Sequence, residues 1–470
     1  MRVNGWVAVL LIAGIAMAQD EKPWERARRE RQDKIGGVPE AILARQTVKK
    51  VARTTLEAAA QAARALAEQA VKETPRPAQT PPGARVLRVP AEYGSIRAAI
   101  EAARAGDTVL VGAGTYYEQL DLKDGVRLVS HGADGGDEPV AVEGARLKLP
   151  RRALRTVLDG ARSEQSAHGM IDFAPGAGRA TLVDGFTIQN LPKQNHHQPY
   201  HAHGINIRGA SPTITNCLVR RNGSTGIGNH VIYQDQTAAT ERRDFRRANI
   251  KHEARALIYN NIVHHNFGLG IGCNHFSAPL IVGNEVFGND DAELGELSPG
   301  MGCKHGAAPL ILGNLVHDNS GGGILCKVGE PQGAHPIDGP THPEIRGNVV
   351  YSNGKDRPAI GTDGAGSADQ PVRIIGNWVL GSRLVGIGLT EGAFGVVTDN
   401  RVCDTAAPGI AINHATVLAL ERNEVTGSQG VGFAIVAGST VWEMTGNAAD
   451  DNGGPRFMLR DSVIKGKRKD

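Results

Sequence analysis

IYNNIVHHN, residues 258–266, returns as IVGNEVFGN at 281–289, ILGNLVHDN at 311–319, IRGNVVYSN at 345–353, IIGNWVLGS at 374–382, VTDNRVCDT at 397–405, LERNEVTGS at 420–428 and MTGNAADDN at 444–452. The shared asparagines, Asn261, Asn284, Asn314, Asn348, Asn377, Asn400, Asn423 and Asn447, stand 23, 30, 34, 29, 23, 23 and 24 residues apart. A period that tolerates additions marks a solenoid, in which each unit buries its apolar face only against its neighbours.

The unit is strand-like. Each repeat holds short Val- and Ile-rich segments that alternate every two residues and are broken by Gly, Asn and Asp, with no apolar run at helical spacing. Three strands per coil follow. The position before the shared asparagine, or before its counterpart, is Asn216, Asn260, Gly283, Gly313, Gly347, Gly376, Asp399 or Gly446, with Arg422 the exception. Gly, Asn and Asp tolerate positive φ best, so a left-handed kink is expected in every coil. The asparagine after the kink can then stack on its counterparts ~4.8 Å above and below, its amide bonding along the column. Cys217 and Gly185 take that slot in the two preceding coils.

These features resemble the right-handed parallel β-helix of the pectate-lyase-like superfamily, in which a two-residue turn and an asparagine ladder recur. Tyr93–His131, YGSIRAAIEAARAGDTVLVGAGTYYEQLDLKDGVRLVSH, resembles the opening of such proteins. Ser95 is expected to cap a helix whose apolar stripe is Ile96, Ala99, Ile100 and Ala103 and whose end is Gly106. That helix would cover the open end of the core. The resemblance spans Val86 to Phe457 and implies an all-β solenoid of three strands per coil. It leaves the activity open, because the architecture hosts lyases, hydrolases, epimerases and non-catalytic proteins.

Residues 1–18 read as an export signal: Arg2, an apolar run from Trp6 to Met17, and Ala16-Met17-Ala18 before Gln19. A secreted or periplasmic protein is expected, monomeric and without a transmembrane segment in its mature form. Residues 19–74 form a charged, Ala-rich extension in which Ala52, Leu56, Ala59, Ala63, Leu66 and Ala70 alternate at spacings of 4 and 3. This suits either a docking or coiled-coil helix or a solvated spacer. A Pro-rich linker at 75–84, the β-helix at 85–457 and a basic tail at 458–470 complete the organisation.

Lys and Arg number 52 against 49 acids, and the charges are scattered, so nothing calls for nucleic acid and no such partner is expected. Aromatics make up only 4%, so recognition should rest on charge and hydrogen bonds rather than on stacked rings. Cys273, Cys303 and Cys326 fall at one place in three successive coils, on the inward side, and read as a buried thiol column. A zinc site would need ligands that solvent can reach.

Nine residues or so after each ladder position comes another strand, with Ile227, Ile271, Met301, Ile324, Ile360, Ile387 and Ile410 facing the core. Alternation then turns two columns outward. The first, Asn206, Gly228, Gly272, Gly302, Leu325, Gly361, Gly388 and Ala411, reads as a bare floor open to solvent. The second, Arg208, His230, Asn274, Lys304, Lys327, Asp363, Thr390 and Asn413, is polar. Insertions flank this strand at 191–203, 290–299 and 354–358 before it and at 231–255, 328–342 and 364–370 after it, and variable loops on a rigid scaffold tend to carry function.

Lys304 and Lys327 should lie one coil apart, about 5 Å, where two positive charges repel by ~0.8 kcal/mol in water and several-fold more near a protein surface. An anion across the pair resolves the repulsion, and uronate carboxylates fit. β-Elimination needs a base for the proton beside the carboxylate and a cation to neutralise that carboxylate. His230, Lys304 or Lys327 can be the base, with Arg208 and the remaining Lys neutralising charge. The sequence fixes no cofactor; calcium is the candidate, through Asp290, Asp291, Glu293 or Asp363. Hydrolysis would instead need two carboxyl groups on one bond, Asp363 with Glu391 or Asp291. The resemblance implies paired aspartates and Gly-His-Gly for hydrolases, and Gly361–Gly366, GTDGAG, only echoes this; no lyase signature of consecutive Arg and Asp stands out either.

His196, His197, His201 and His203 crowd one loop, and Glu241–Arg247, ERRDFRR, suits an acidic chain or a self-paired hairpin. The expected catalytic set is His230, Lys304, Lys327 and Asp363, with Arg208, Asn274, Asn206 and His203 binding substrate. The expected partner is an acidic polysaccharide cleaved by β-elimination. A glycoside hydrolase and a non-catalytic glycan-binding or structural protein remain the alternatives.

Overall fold

The computed structural model describes residues 40–74, 83–132, 136–163, 169–192, 202–234, 246–290, 298–328, 339–354 and 357–466. The export signal and most of the Pro-rich linker lie outside the described residues. Three parallel sheets of 14, 12 and 12 strands wind up the chain, each coil adding one strand to each sheet. The first sheet runs from Val86–Val89 to Val463–Ile464, the second from Gly114–Tyr116 to Ala448–Asp450, and the third from Leu120–Leu122 to Phe457–Leu459. Val and Ile at alternate positions fill one continuous core, from Leu87 and Val109 to Val441 and Met444.

The kink between the first and second sheets is left-handed throughout: φ is 55° at Asn216, 54° at Asn260, 60° at Gly283, 62° at Gly313, 59° at Asp399 and 63° at Gly446. Arg422, the residue type least suited to it, also sits at 51°. Its guanidinium reaches one coil back to both oxygens of Asp399, at 2.7 and 3.0 Å. After the kink the ladder runs from Asn261 to Asn447: Asn284 Nδ2 donates to Asn314 Oδ1 at 3.0 Å, and Asn314 Nδ2 to Asn348 Oδ1 at 2.9 Å. Each Oδ1 also accepts from the backbone N–H one coil earlier, as Asn348 does from Asn314 at 2.9 Å. A second ladder, Asn222, Asn266, Asn289, Asn319 and Asn353, closes the other end of the second sheet.

The N-terminal helix α1, Glu40–Glu73, is no solvated spacer. Ala59, Ala63, Ala67 and Val71 are buried against Val282, Leu312, Leu315, Val349 and Leu380, so the helix lies across the kinks of four coils. Gly313 makes this approach possible, because a Cβ there would stand 2.6 Å from the Ala63 carbonyl oxygen. Helix α2, Ile96–Ala102, is capped by the Ser95 hydroxyl, which accepts from the Ala98 N–H at 3.1 Å. It buries Ile96, Ala99 and Ile100 over the first coil, which closes the core at that end.

An antiparallel arm, Pro139–Ala141 with Lys148–Pro150, folds onto the outer face of the second sheet. Glu285, fully buried, pins it by accepting from Arg146 N–H at 2.8 Å and Leu147 N–H at 2.5 Å. Beside it His264, Phe287, His317 and Tyr351 stack ring on ring across four coils, with centroids 4.7, 4.8 and 4.5 Å apart. In the core, Cys273, Cys303 and Cys326 pair in register as free, buried thiols. The Cys303 neighbour and the loss of solvent hold the Cys273 and Cys326 thiols well above the ordinary range, while their hydrogen bonds to Cys303 pull that middle thiol down.

Candidate functional site

The third sheet stacks the expected columns in register. Arg208 pairs with His230 and Lys327 with Asp363, followed by Thr390 and Asn413, while Asn206, Gly228, Gly272, Gly302, Leu325, Gly361, Gly388 and Ala411 form the neighbouring column. Asn274 and Lys304 continue the strands of Cys273 and Cys303, and the Lys304 N–H donates to the Cys273 carbonyl at 3.0 Å. Lys304 and Lys327 are exposed, Arg208, His230, Asn274 and Asp363 half-buried, and Thr390 and Asn413 buried. The polar column is therefore open from Arg208 to Asp363 and closes beyond it. Lys327 and Asp363 make no side-chain hydrogen bond or ion pair among the described residues.

The glycine column is not a bare floor. Asn206, Gly228, Gly272, Gly361, Gly388 and Ala411 are buried, and only Gly302 and Leu325 reach solvent in part. Thr225 and Leu269, in segments that enter the third sheet, lean over the glycine of the following coil, Gly272 and Gly302. Leu269 lies on Gly302, where a Cβ would come within 2.6 Å of Leu269 Cδ2. Leu384, Ala407 and Val431 form an apolar cluster with Ala411 and Ala434. Alternation predicted the direction these residues point, and local packing, not polymer, occupies the space above them. The glycines serve coil-to-coil packing on this face.

One coil further up is a relay that sequence reasoning missed. Asp172 precedes Asn206 in the first column, and Asn206 Nδ2 donates to Asp172 Oδ1 at 2.6 Å. His230 Nε2 lies 3.2 Å from Asn206 Oδ1. A carboxylate only accepts, so Asp172 fixes which end of the Asn206 amide turns to His230, and the imidazole must donate through Nε2. The neutral ring then carries its lone pair on Nδ1. His203, also buried, has its ring 5.6 Å from that of His230. Asn206 and His203 thus sit beneath the surface, behind His230, rather than in a position to touch polymer.

A second missed feature is His275 and His305, which directly follow Asn274 and Lys304 at φ of 51° and 57° and stack at 4.8 Å. The Tyr233 ring meets His275 edge-on at 6.1 Å. The repeated Cys-Asn-His and Cys-Lys-His at 273–275 and 303–305 was the available signal. Asp172 left none, because its coil precedes the first ladder asparagine.

Of the expected calcium ligands, Asp290 is described, half-buried, with Oδ1 buried and without a hydrogen-bond partner. Asp291 and Glu293 lie outside the described residues, as do His196, His197, His201 and most of Glu241–Arg247. Among the described residues no three His, Cys, Asp or Glu side chains converge as a metal site. Asp363 has Lys327 and Thr390 as register neighbours, and Glu391 follows Thr390 with φ of 56°. No helix among the described residues is long and apolar enough to cross a membrane.

A family model described as "Right handed beta helix region" matches residues 176–332 and 326–449, more than half of the chain. Among solved structures the chain is similar to the catalytic unit of a thermostable GH87 alpha-1,3-glucanase from Streptomyces thermodiastaticus, at 14% identity and TM-score 0.47, over 84% of this chain and 72% of that one. It is similar to the A-module of the mannuronan C-5 epimerase AlgE4 from Azotobacter vinelandii, at 17% identity and TM-score 0.40, over 80% and 96%. The pectate lyase Pel9A follows at 13% identity and TM-score 0.34, over 79% of each chain. Comparison with curated proteins gives no match.

Proposed function

The chain belongs to the right-handed β-helix family, and from that premise we propose that it is an exported protein that binds an acidic, uronate-containing polysaccharide along the third sheet and cleaves it by β-elimination. The observation that supports this reading is the open polar column from Arg208 to Asp363, in which cationic and hydrogen-bonding side chains repeat at the ~4.8 Å spacing of parallel strands. An extended polyanion lying across the coils meets Arg208, Lys304 and Lys327 in succession.

His230 is the base in this reading. Its Nε2 is held by Asn206, and Nδ1 takes the proton on the carbon beside the uronate carboxylate. The electron pair left on that carbon forms the new double bond as the bond to the leaving glycosidic oxygen breaks, and that oxygen takes a proton from water. Arg208, the register neighbour of His230, neutralises the carboxylate, which makes the abstracted proton acidic. Lys304 and Lys327 bind carboxylates further along the chain, and Asp363 orients a sugar hydroxyl.

Incubation with pectate, alginate, glycosaminoglycans and neutral glycans tests the proposal, following the ultraviolet absorbance of unsaturated uronate ends beside reducing ends. Absorbance that depends on His230 supports it. New reducing ends without absorbance would replace elimination by hydrolysis. Binding without cleavage that survives Lys304→Ala and Lys327→Ala would move the polymer to another face.

A further inference from the structure

The far side of the solenoid holds a cavity that the proposed cleavage does not use. It measures about 560 Å³ and lies between α1, the 139–150 arm and the kinks of the first sheet. Both walls are fixed. Helix α1 is seated by Ala63, Ala67 and Val71, and the arm is seated by the buried Glu285 carboxylate on the Arg146 and Leu147 N–H groups. The space between them is therefore part of the fold, and its volume falls in the range of small-molecule sites, ~300–1,000 Å³.

Cations outnumber carboxylates in its lining, four to two. Arg64 and Lys72 on α1 line it opposite Arg146 and Lys148 on the arm. None of the four makes an ion pair with a carboxylate among the described residues, although acids and bases are nearly balanced in the chain as a whole; Arg146 also stands 6.0 Å from the Tyr351 ring and bonds to Tyr351. The carboxylates that line the cavity are Glu68 and Glu285. Glu285 already accepts from two arm N–H groups and from His317 Nε2 at 2.9 Å, so its oxygens are committed. Opposed cations across a shared space repel one another unless an anion lies between them. Tyr259 and Asn260 on the solenoid side add a ring face and an amide suited to a polar scaffold.

We infer that this cavity binds a compact ligand carrying at least two anionic oxygen groups, held between the α1 cations Arg64 and Lys72 and the arm cations Arg146 and Lys148. Carboxylates of a short acidic saccharide and the groups of a small free polyanion share this chemistry. The site is separate from the third sheet and does not depend on any cleavage there.

Isothermal titration of the full chain with trigalacturonate, citrate, pyrophosphate and neutral maltotriose tests it. The expected result is binding of at least one anionic probe and none of maltotriose, with an affinity at least tenfold lower in Arg64→Ala/Arg146→Ala and unchanged in Arg373→Ala, an exposed cation outside the cavity lining. A trigalacturonate signal that is weakened in Lys327→Ala but not in Arg64→Ala/Arg146→Ala is counted to the third sheet. Trigalacturonate alone binding identifies a saccharide ligand; citrate or pyrophosphate binding identifies a free polyanion. A thermal unfolding curve matching the parent's shows that the double variant is folded, and Lys72→Ala/Lys148→Ala serves in its place where it is not. No binding by any anionic probe, equal binding of maltotriose, or affinity that survives both double variants overturns the inference.

Discussion

His264 and His317 lie against opposite faces of one ring, Phe287, at 4.7 and 4.8 Å, and their proton affinities move in opposite directions. Burial first, then the neighbouring His265, Arg220 and Arg221, push His264 down to about 3. Burial also works against protonated His317, but its hydrogen bonds to Asp318 and Glu285 outweigh that and raise it above the ordinary 6.5. His264 therefore contributes stability above pH ~6.5 that is lost as pH falls, and His317 contributes stability below ~6.5 that is lost as pH rises through its folded value. The thermal midpoint is expected to peak near pH ~6.5. His317→Gln should flatten the alkaline limb and His264→Phe should reduce the slope of the acid limb, read by thermal unfolding across pH.

Asn314→Ala is expected to be the more severe of two ladder substitutions. The buried Asn314 side chain donates to Ile281 O, Leu312 O and Asn348 Oδ1 and accepts from Asn284, so its loss strands buried groups in three coils. A cost of about 3–5 kcal/mol follows. Asn447→Ala, at the last rung, loses the bond to Leu420 O and those accepted from Asn423, and should cost less. Denaturant unfolding of the two variants makes the comparison.

Gly313→Ala should detach α1 rather than unfold the solenoid. Alanine at the left-handed φ of 62° is strained by ~1–2 kcal/mol, and its Cβ would meet the Ala63 carbonyl oxygen at 2.6 Å. Faster amide exchange through residues 59–71, with little change across the third sheet, is the expected signature. Unchanged protection of α1 would contradict this account of its seat.

Lys327→Ala and Asp172→Asn separate binding from base positioning. Lys327 is exposed and has no partner among the described residues, so its removal should change stability by less than ~0.5 kcal/mol while weakening polyanion binding about tenfold, less so at high salt. Asp172→Asn frees the Asn206 amide to turn. The expected result is a change of His230 tautomer in imidazole nitrogen spectra, with kcat falling more than KM rises.

The kinks and the first ladder were readable because sterics allow few residue types at positive φ, and even Arg422 breaks the pattern only where Asp399 can hold it. Direction was readable too: register puts His230, Lys327 and Asp363 where alternation put them. What lies over a residue was not, since Leu269 and Leu384 reach the glycine column from segments with no repeat of their own. The same limit applies to α1. Its stripe identified Ala59 and Ala63 as an apolar face, but not the surface they meet.

Because α1 bridges strands 280–282, 310–312, 349–351 and 378–380, neighbouring coils in the middle of the stack cannot part without first shedding the helix. Among the described residues no such batten crosses the last coils, where Leu459 is 53% and Val463 54% exposed. Fraying should therefore begin at the C-terminal rim and peel inward coil by coil, halting at Trp378–Leu380, so that a mechanically or thermally stressed molecule sheds its tail end while the coils bearing Arg208 to Lys327 stay wound.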